Sequence, residues 1–251
     1  MSIRDLLVHD DDAPAIVGVL PSPPGPLSRT ARGGAGIVTW GELRQILSQR
    51  VYERGARISR QPKADVVTIV DLLQILADDA IPVLAHHRWP AAMAADAFAR
   101  AGVDRPWPST WPAATVLFTS GSTGRPKAVV HDVSAHIDNA RGALSFIPFS
   151  VGSRWLLSLP LGHVGGLAVL FRALVGGGAV VVPASSDLHA SIIAARPTHL
   201  SLVAAQLTKI VDDERVLDVL RSTATEILVG GGPTTPALFA RAIAAGLRVR
   251  Q

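Results

Sequence analysis

Residues 119–129 read Thr119-Ser120-Gly121-Ser122-Thr123-Gly124-Arg125-Pro126-Lys127-Ala128-Val129 and follow directly on the apolar Ala114-Thr115-Val116-Leu117-Phe118. A buried strand ending in hydroxyls, glycines and a lysine is the combination a polyphosphate requires. Glycines let backbone N–H groups turn inward, hydroxyls donate, and lysine brings a full positive charge. The Walker pattern does not fit, because it needs Gly-Lys-Ser/Thr, whereas Lys127 follows Pro126 and precedes Ala128. The bland reading of the stretch is an ordinary Gly/Ser-rich loop.

The chain around this loop has 251 residues, 48% apolar and 18% charged, which is enough to bury a core of one large domain or two small ones. The formal charge is +4, and of the 24 basic residues only Lys63, Lys127 and Lys209 are lysines. The arginines are scattered and form no basic stripe interleaved with aromatics. Nucleic-acid binding is therefore a poor reading and no nucleic-acid partner is expected, whereas a weak attraction for anionic ligands is a fair one. With no cysteine, disulfides, thiolate-ligated metals and a thiolate nucleophile are ruled out. The N-terminal residues, Met1-Ser2-Ile3-Arg4-Asp5-Leu6-Leu7-Val8-His9-Asp10-Asp11-Asp12, carry no apolar signal core, which implies the cytoplasm. The most apolar region, 155–183, holds Pro160, His163, Arg172 and a series of glycines, so it reads as buried α/β core and no membrane span is expected.

Outward from the loop, hydrophobic patterning alternates between strand and helix. A Pro/Gly-rich connector over 18–36 reads as irregular surface chain. Thr39-Trp40-Gly41-Glu42 has the spacing of a capping box and predicts a helix with Leu43, Ile46 and Leu47 on its apolar face. The β-branched run 65–70 is predicted as a strand, 71–79 as a helix, 81–85 as a strand and 91–101 as a helix. Residues 105–112, rich in proline and tryptophan, read as a linker. Beyond the loop come a helix over 132–145, a strand over 155–159, and a helix carrying Leu167, Leu170, Phe171 and Leu174 that Gly176-Gly177-Gly178 stops. Strands follow at 179–182, 200–203, 226–229 and 247–250. The fold class expected is α/β, with largely parallel β-α-β sheets covered by helices on both faces and a division at 112/113. The loops 119–127, 160–166 and 230–233 then fall beyond the carboxyl ends of strands, where ligands bind in open parallel sheets.

Two of those loops have composition that suggests chemistry. Leu159-Pro160-Leu161-Gly162-His163-Val164-Gly165-Gly166 sets a histidine before a helix, which by itself is more often a packed or capping residue than a functional one. Gly230-Gly231-Gly232-Pro233 follows the apolar Ile227-Leu228-Val229 and by itself is a strand-to-helix turn.

Together the three segments resemble the adenylate-forming enzymes, the superfamily of acyl- and aryl-CoA ligases, luciferases and peptide-synthetase adenylation domains. Their phosphate loop reads Thr-Ser-Gly-Ser/Thr-Thr-Gly-x-Pro-Lys-Gly, and this chain departs from it only at Ala128. The resemblance implies that Thr119, Ser120, Gly121, Ser122, Thr123, Gly124 and Lys127 grip the phosphates of ATP. It also implies that His163, in a Leu-Pro-x-x-His segment, lies beside the reacting carboxylate with Gly166 at the acyl pocket, and that Gly231, Gly232 and Pro233 line the adenine. Catalytic roles fall to Lys127 and His163. No metal ligands are assigned in this chain.

Within the superfamily, residues 161–173, 197–207 and Pro236-Ala237-Leu238 resemble the o-succinylbenzoate–CoA ligases of menaquinone biosynthesis, strongly from about 113 to 251 and faintly before. That implies an N-terminal α/β subdomain at 1–112 and an ATP- and acyl-binding subdomain at 113–251. Arg172 becomes a candidate partner for the second carboxylate of the substrate, although an arginine on a helix surface is an equal reading of the residue alone. The complete enzyme would use ATP, Mg²⁺ and CoA. Family members continue with Tyr-Gly-x-Thr-Glu and a C-terminal lid, so stopping at Gln251 implies an N-terminal piece of the enzyme, inactive alone, with exposed apolar surface near its last strand that homodimerisation or disorder would relieve. Two alternatives remain: another acyl- or aryl-CoA ligase, and a nucleotide-binding or assembly module without turnover.

Overall fold

The computed structural model describes residues 2–18, 36–105, 107–108, 113–119 and 125–251. In chain order these form β1 (Pro14–Gly18), β2 (Gly36–Thr39), α1 (Trp40–Ile46), β3 (Arg57–Arg60), α2 (Val66–Ala77), β4 (Ile81–Leu84), α3 (Ala91–Arg100), β5 (Thr115–Thr119), β6 (Lys127–His131) and α4 (Val133–Phe146). The chain continues with β7 (Arg154–Leu156), α5 (Val164–Gly176), β8 (Ala179–Val181), α6 (Leu188–Ala195), β9 (His199–Val203), α7 (Ala204–Ile210), α8 (Glu214–Ser222), β10 (Glu226–Gly230), α9 (Pro236–Ala244) and β11 (Arg248–Arg250). The connector expected over 18–36 lies almost wholly outside the described residues, and the linker over 105–112 does so in part.

The strands make a seven-stranded sheet ordered β11-β10-β9-β7-β8-β1-β2 and a four-stranded sheet ordered β3-β4-β5-β6. Seven pairings are parallel and two, β1 with β2 and β5 with β6, are antiparallel, so the sheets are largely parallel among the described residues. Each sheet draws strands from both sides of residue 112, since β1 and β2 join the larger sheet while β5 and β6 complete the smaller one. The division of the chain at 112/113 is therefore not a division between sheets.

Several elements arise as their local sequence dictates. Thr39 Oγ1 accepts from the Glu42 N–H at 3.2 Å and Glu42 Oε2 accepts from the Thr39 N–H at 3.0 Å, so the capping box starts α1. Gly177, in the left-handed region at φ 78°, ends α5. No helix among the described residues is long and apolar enough to cross a membrane.

The strand predicted over 65–70 is a correction: those residues are the N-cap and first turns of α2. Asp65 Oδ1 accepts from the Thr68 N–H at 2.7 Å and starts the helix. Nine of its twelve residues are then buried, packed against β4 of one sheet and β1 of the other. Burial on nearly all sides outweighs the modest penalty of β-branched residues in a helix. The strand that does precede α2 is the half-buried β3, whose arginines hide its alternation.

Candidate functional site

The carboxyl ends of β5, β7, β9 and β10 open onto one cavity of about 600 Å³. Thr119 enters its lining from β5, His131 from the antiparallel β6, Leu159, Pro160 and His163 from the loop after β7, and Gly230 and Gly231 from the end of β10. Ser201, Leu202 and Val203 on β9 and Gly165 and Arg172 on α5 complete the wall used below. The three loops singled out in the sequence thus converge on one space, except that residues 120–124, which hold Ser120, Gly121, Ser122, Thr123 and Gly124, lie outside the described residues.

Two flanks of the phosphate loop are described. Thr119 is the exposed last residue of β5, and its register partner across the hairpin is Lys127, the exposed first residue of β6. Lys127 is not itself in the cavity wall.

Arg172 is the strongest electrostatic feature of the cavity. It is 6% exposed, and burial pulls the guanidinium down to about 10, still protonated at neutral pH. No carboxylate pairs with it among the described residues. Its Nη1 donates to Ser201 Oγ over a long 3.5 Å, its Cζ stands 4.7 Å from the centre of the Trp155 ring, and its Nε has no partner. A buried, uncompensated cation in a cavity wall is costly unless an anion enters the cavity. The reading of Arg172 as a helix-surface arginine does not hold.

His163 is the N-cap of α5 but makes no capping hydrogen bond, which leaves its ring to the cavity. Behind it lies His86, with ring centroids 5.0 Å apart, and His86 Nδ1 accepts from the Arg88 N–H at 3.1 Å. His86 is held below its ordinary range by burial first, then by His87, His163 and Arg88. His86 and His87, with Lys63 and Arg88, line a second cavity of about 430 Å³ that shares Leu159 and Pro160 with the first.

The remaining predicted residues are distributed more loosely. Gly166 is buried in the first turn of α5, and a Cβ there would collide with the carbonyl oxygen of Pro160, so its glycine identity is accounted for by the neighbouring backbone. Gly231 lines the cavity with φ at 80°, whereas Gly232 is exposed and outside the wall. Pro233 belongs to a separate hollow with Thr208 and Arg241. Among the described residues no group of three or more His, Cys, Asp or Glu side chains could hold a metal ion.

Sequence reasoning missed His131, Ser201 and Trp155. A signal existed for Ser201, a polar position inside the apolar alternation of β9. None existed for Trp155, which is wholly buried and reads as core.

A profile of the AMP-binding enzyme family matches residues 38–250. The 2-succinylbenzoate–CoA ligase of Haemophilus influenzae is 43% identical over 118 residues, covering 47% of this chain and 25% of the relative. That of Escherichia coli is 39% identical over 136 residues, covering 53% and 28%. These matches therefore span little more than a quarter of each relative's length. Among solved structures, the O-succinylbenzoate coenzyme A synthetase of Bacillus subtilis in complex with AMP superposes with a TM-score of 0.73 at 18% identity, over 97% of this chain and 71% of that one. The N-terminal subdomain of Klebsiella oxytoca NpsA, in complex with 3-hydroxybenzoyl-AMSN, does so with a TM-score of 0.74 at 19% identity, over 97% and 69%. Both share the fold. With its family match covering most of the chain and its three loops converging on one cavity, the chain belongs to the AMP-binding enzyme family.

Proposed function

We propose that the chain contributes the ATP- and acid-binding machinery of an acid–CoA ligase whose substrate is o-succinylbenzoate. The single observation that carries this reading is Arg172, a buried guanidinium with no carboxylate partner among the described residues, in the same cavity wall as His163 and Gly231. An acid with one carboxylate needs one anion site, at the reacting end. A second, buried cation in the wall calls for a dicarboxylate, and the relatives from H. influenzae and E. coli are 2-succinylbenzoate–CoA ligases.

The reaction runs in two steps. A carboxylate oxygen attacks the α-phosphorus of ATP, forming an O–P bond while the bond to the β-phosphate breaks and pyrophosphate leaves. The thiol of CoA, giving up its proton to solvent, then attacks the acyl carbonyl to form the C–S bond, and AMP departs with the electron pair of the broken C–O bond. Lys127 and the loop 119–124 hold the outgoing phosphates, His163 flanks the carboxylate, Gly231, Gly232 and Pro233 border the adenine, and Arg172 meets the second carboxylate. Catalysis by such a site is alignment and charge stabilisation at the α-phosphate. Mg²⁺ bound with ATP would supply charge neutralisation for the phosphates. The second cavity offers, through Lys63 and Arg88, the positive charge that the phosphates of CoA require next to the Leu159–Pro160 wall, with His86 and His87 as hydrogen-bonding imidazoles beside them.

Calorimetry with a hydrolysis-resistant acyl-sulfamoyl adenosine tests this without depending on turnover. The o-succinylbenzoyl form is expected to bind at least tenfold more tightly than the 4-oxo-4-phenylbutanoyl form, which lacks the aromatic carboxylate. Equal affinity would remove the dicarboxylate assignment. A parallel assay for acyl-AMP separates a ligase from a binding module without turnover.

A further inference from the structure

Arg172 is long enough to adopt many rotamers, so what aims its charge is a separate matter from what it binds. Two contacts hold it, one with the Trp155 ring and one with the Ser201 hydroxyl, and Trp155 itself touches that hydroxyl. The indole ring lies under the guanidinium, 4.7 Å from Cζ to ring centre. Its Nε1–H donates to Ser201 Oγ at 3.1 Å, the same oxygen that Arg172 Nη1 approaches at 3.5 Å. Ser201 in turn is held in place by its own backbone, whose carbonyl accepts from Ser158 Oγ. The indole is itself immobile, because it is wholly buried and packed edge-on against Phe149 and beside His199. His199 is pinned by the Pro148 carbonyl at 2.9 Å from its Nε2.

We propose that Trp155 is a positioning residue that sets acid specificity: it holds the Arg172 charge toward the cavity by stacking beneath it and by sharing the Ser201 oxygen. This rests on the reading of the cavity as a site for a dicarboxylate. The physical basis is that a guanidinium stacked on an aromatic face keeps its in-plane donors free for a carboxylate, while the stack compensates part of its lost hydration. Two donors on Ser201 Oγ also use up its lone pairs, so the serine O–H is left to donate into the cavity beside the arginine. A guanidinium without that platform would be free to swing toward the neighbouring hollow that Arg172 also borders, near Asn139 and Arg250.

The test compares o-succinylbenzoate with 4-oxo-4-phenylbutanoate, bound as their sulfamoyl adenosines to wild type, Trp155→Phe, Ser201→Ala and Arg172→Gln. In Trp155→Phe the preference for the dicarboxylate is expected to fall about tenfold, with monocarboxylate affinity unchanged, because only the second anion contact is disturbed. Should Trp155→Phe fail to give a cooperative melt, Ser201→Ala and uniform incorporation of fluorinated tryptophans keep the question open to decision. Fluorination weakens the ring face without changing packing, and a graded loss of preference with fluorine count is the expected result. A full dicarboxylate preference retained in Trp155→Phe or across the fluorinated series overturns the positioning role. A wild type with no preference, or an Arg172→Gln that keeps it, instead overturns the dicarboxylate reading on which the inference stands.

Discussion

Thr119 and Lys127 are register partners at the loop end of the β5–β6 hairpin. The loop between them is therefore anchored at both ends by one antiparallel ladder. Thr119 and Lys127 are thus neighbours across the two strands although seven residues separate them along the chain.

From that relationship follows the first expectation. Lys127→Ala should weaken ATP by about 1.5 to 3 kcal/mol, the worth of a charged hydrogen bond, and leave AMP nearly unaffected. Calorimetry with both nucleotides checks it, and equal losses would detach Lys127 from the outer phosphates.

The Arg172 guanidinium is buried without an anion, so Arg172→Met should raise stability by roughly 1 to 3 kcal/mol while abolishing dicarboxylate preference. With its protonation shifted down to about 10, the wild-type charge is present throughout the neutral range and dicarboxylate binding should fade as pH rises through about 10. Thermal melting is the check on stability, and a lower melting temperature in Arg172→Met would show that the Trp155 stack outweighs the desolvation of the cation.

Acid sensitivity should trace in part to His136. It is buried, bonded to Thr115 Oγ1 at 2.8 Å and stacked 4.2 Å from Phe171. Burial lowers it from 6.5 to about 4. The unfolded chain takes up the proton first as pH falls, so the stability is fully present above pH 6.5 and is lost between about 6.5 and 4. The loss is on the order of 3 kcal/mol. Denaturant unfolding at several pH values should give His136→Gln a visibly flatter profile than wild type. Parallel profiles would assign the acid sensitivity to other groups.

Gly165 and Gly166 should respond oppositely to alanine. At Gly166 the new methyl meets the Pro160 carbonyl and the Leu159 backbone, which cannot yield without moving the His163 loop. A cost of about 1 to 3 kcal/mol is expected, together with weaker acyl binding. At Gly165 the nearest atom is Leu159 Cδ1 at 3.0 Å, the end of a flexible side chain, and the melt should scarcely move. Similar melting temperatures for the two variants would contradict the close approach of α5 to the loop.

Local sequence by itself determined the elements whose causes are local. The capping box of α1 needs only Thr39 and Glu42, and the stop of α5 needs only Gly177. The order of strands also sufficed to gather the loops near 163 and 231 at one end of the larger sheet, because parallel strands send their carboxyl ends to the same side, whereas the arrival of residue 119 from β5 of the smaller sheet at the same cavity was decided by how the two sheets pack. Tertiary structure decided the rest. The run 65–70 became helix because α2 is enclosed between two sheets, and burial there outweighs β-branched propensity. Arg172 could be read equally as a surface residue until β7 and β9 brought Trp155 and Ser201 against it, and only that enclosure turned an ordinary arginine into a buried, unpaired charge. Patterning along the chain records which residues are apolar, whereas the cost of burying a charge depends on which distant segments exclude water from it.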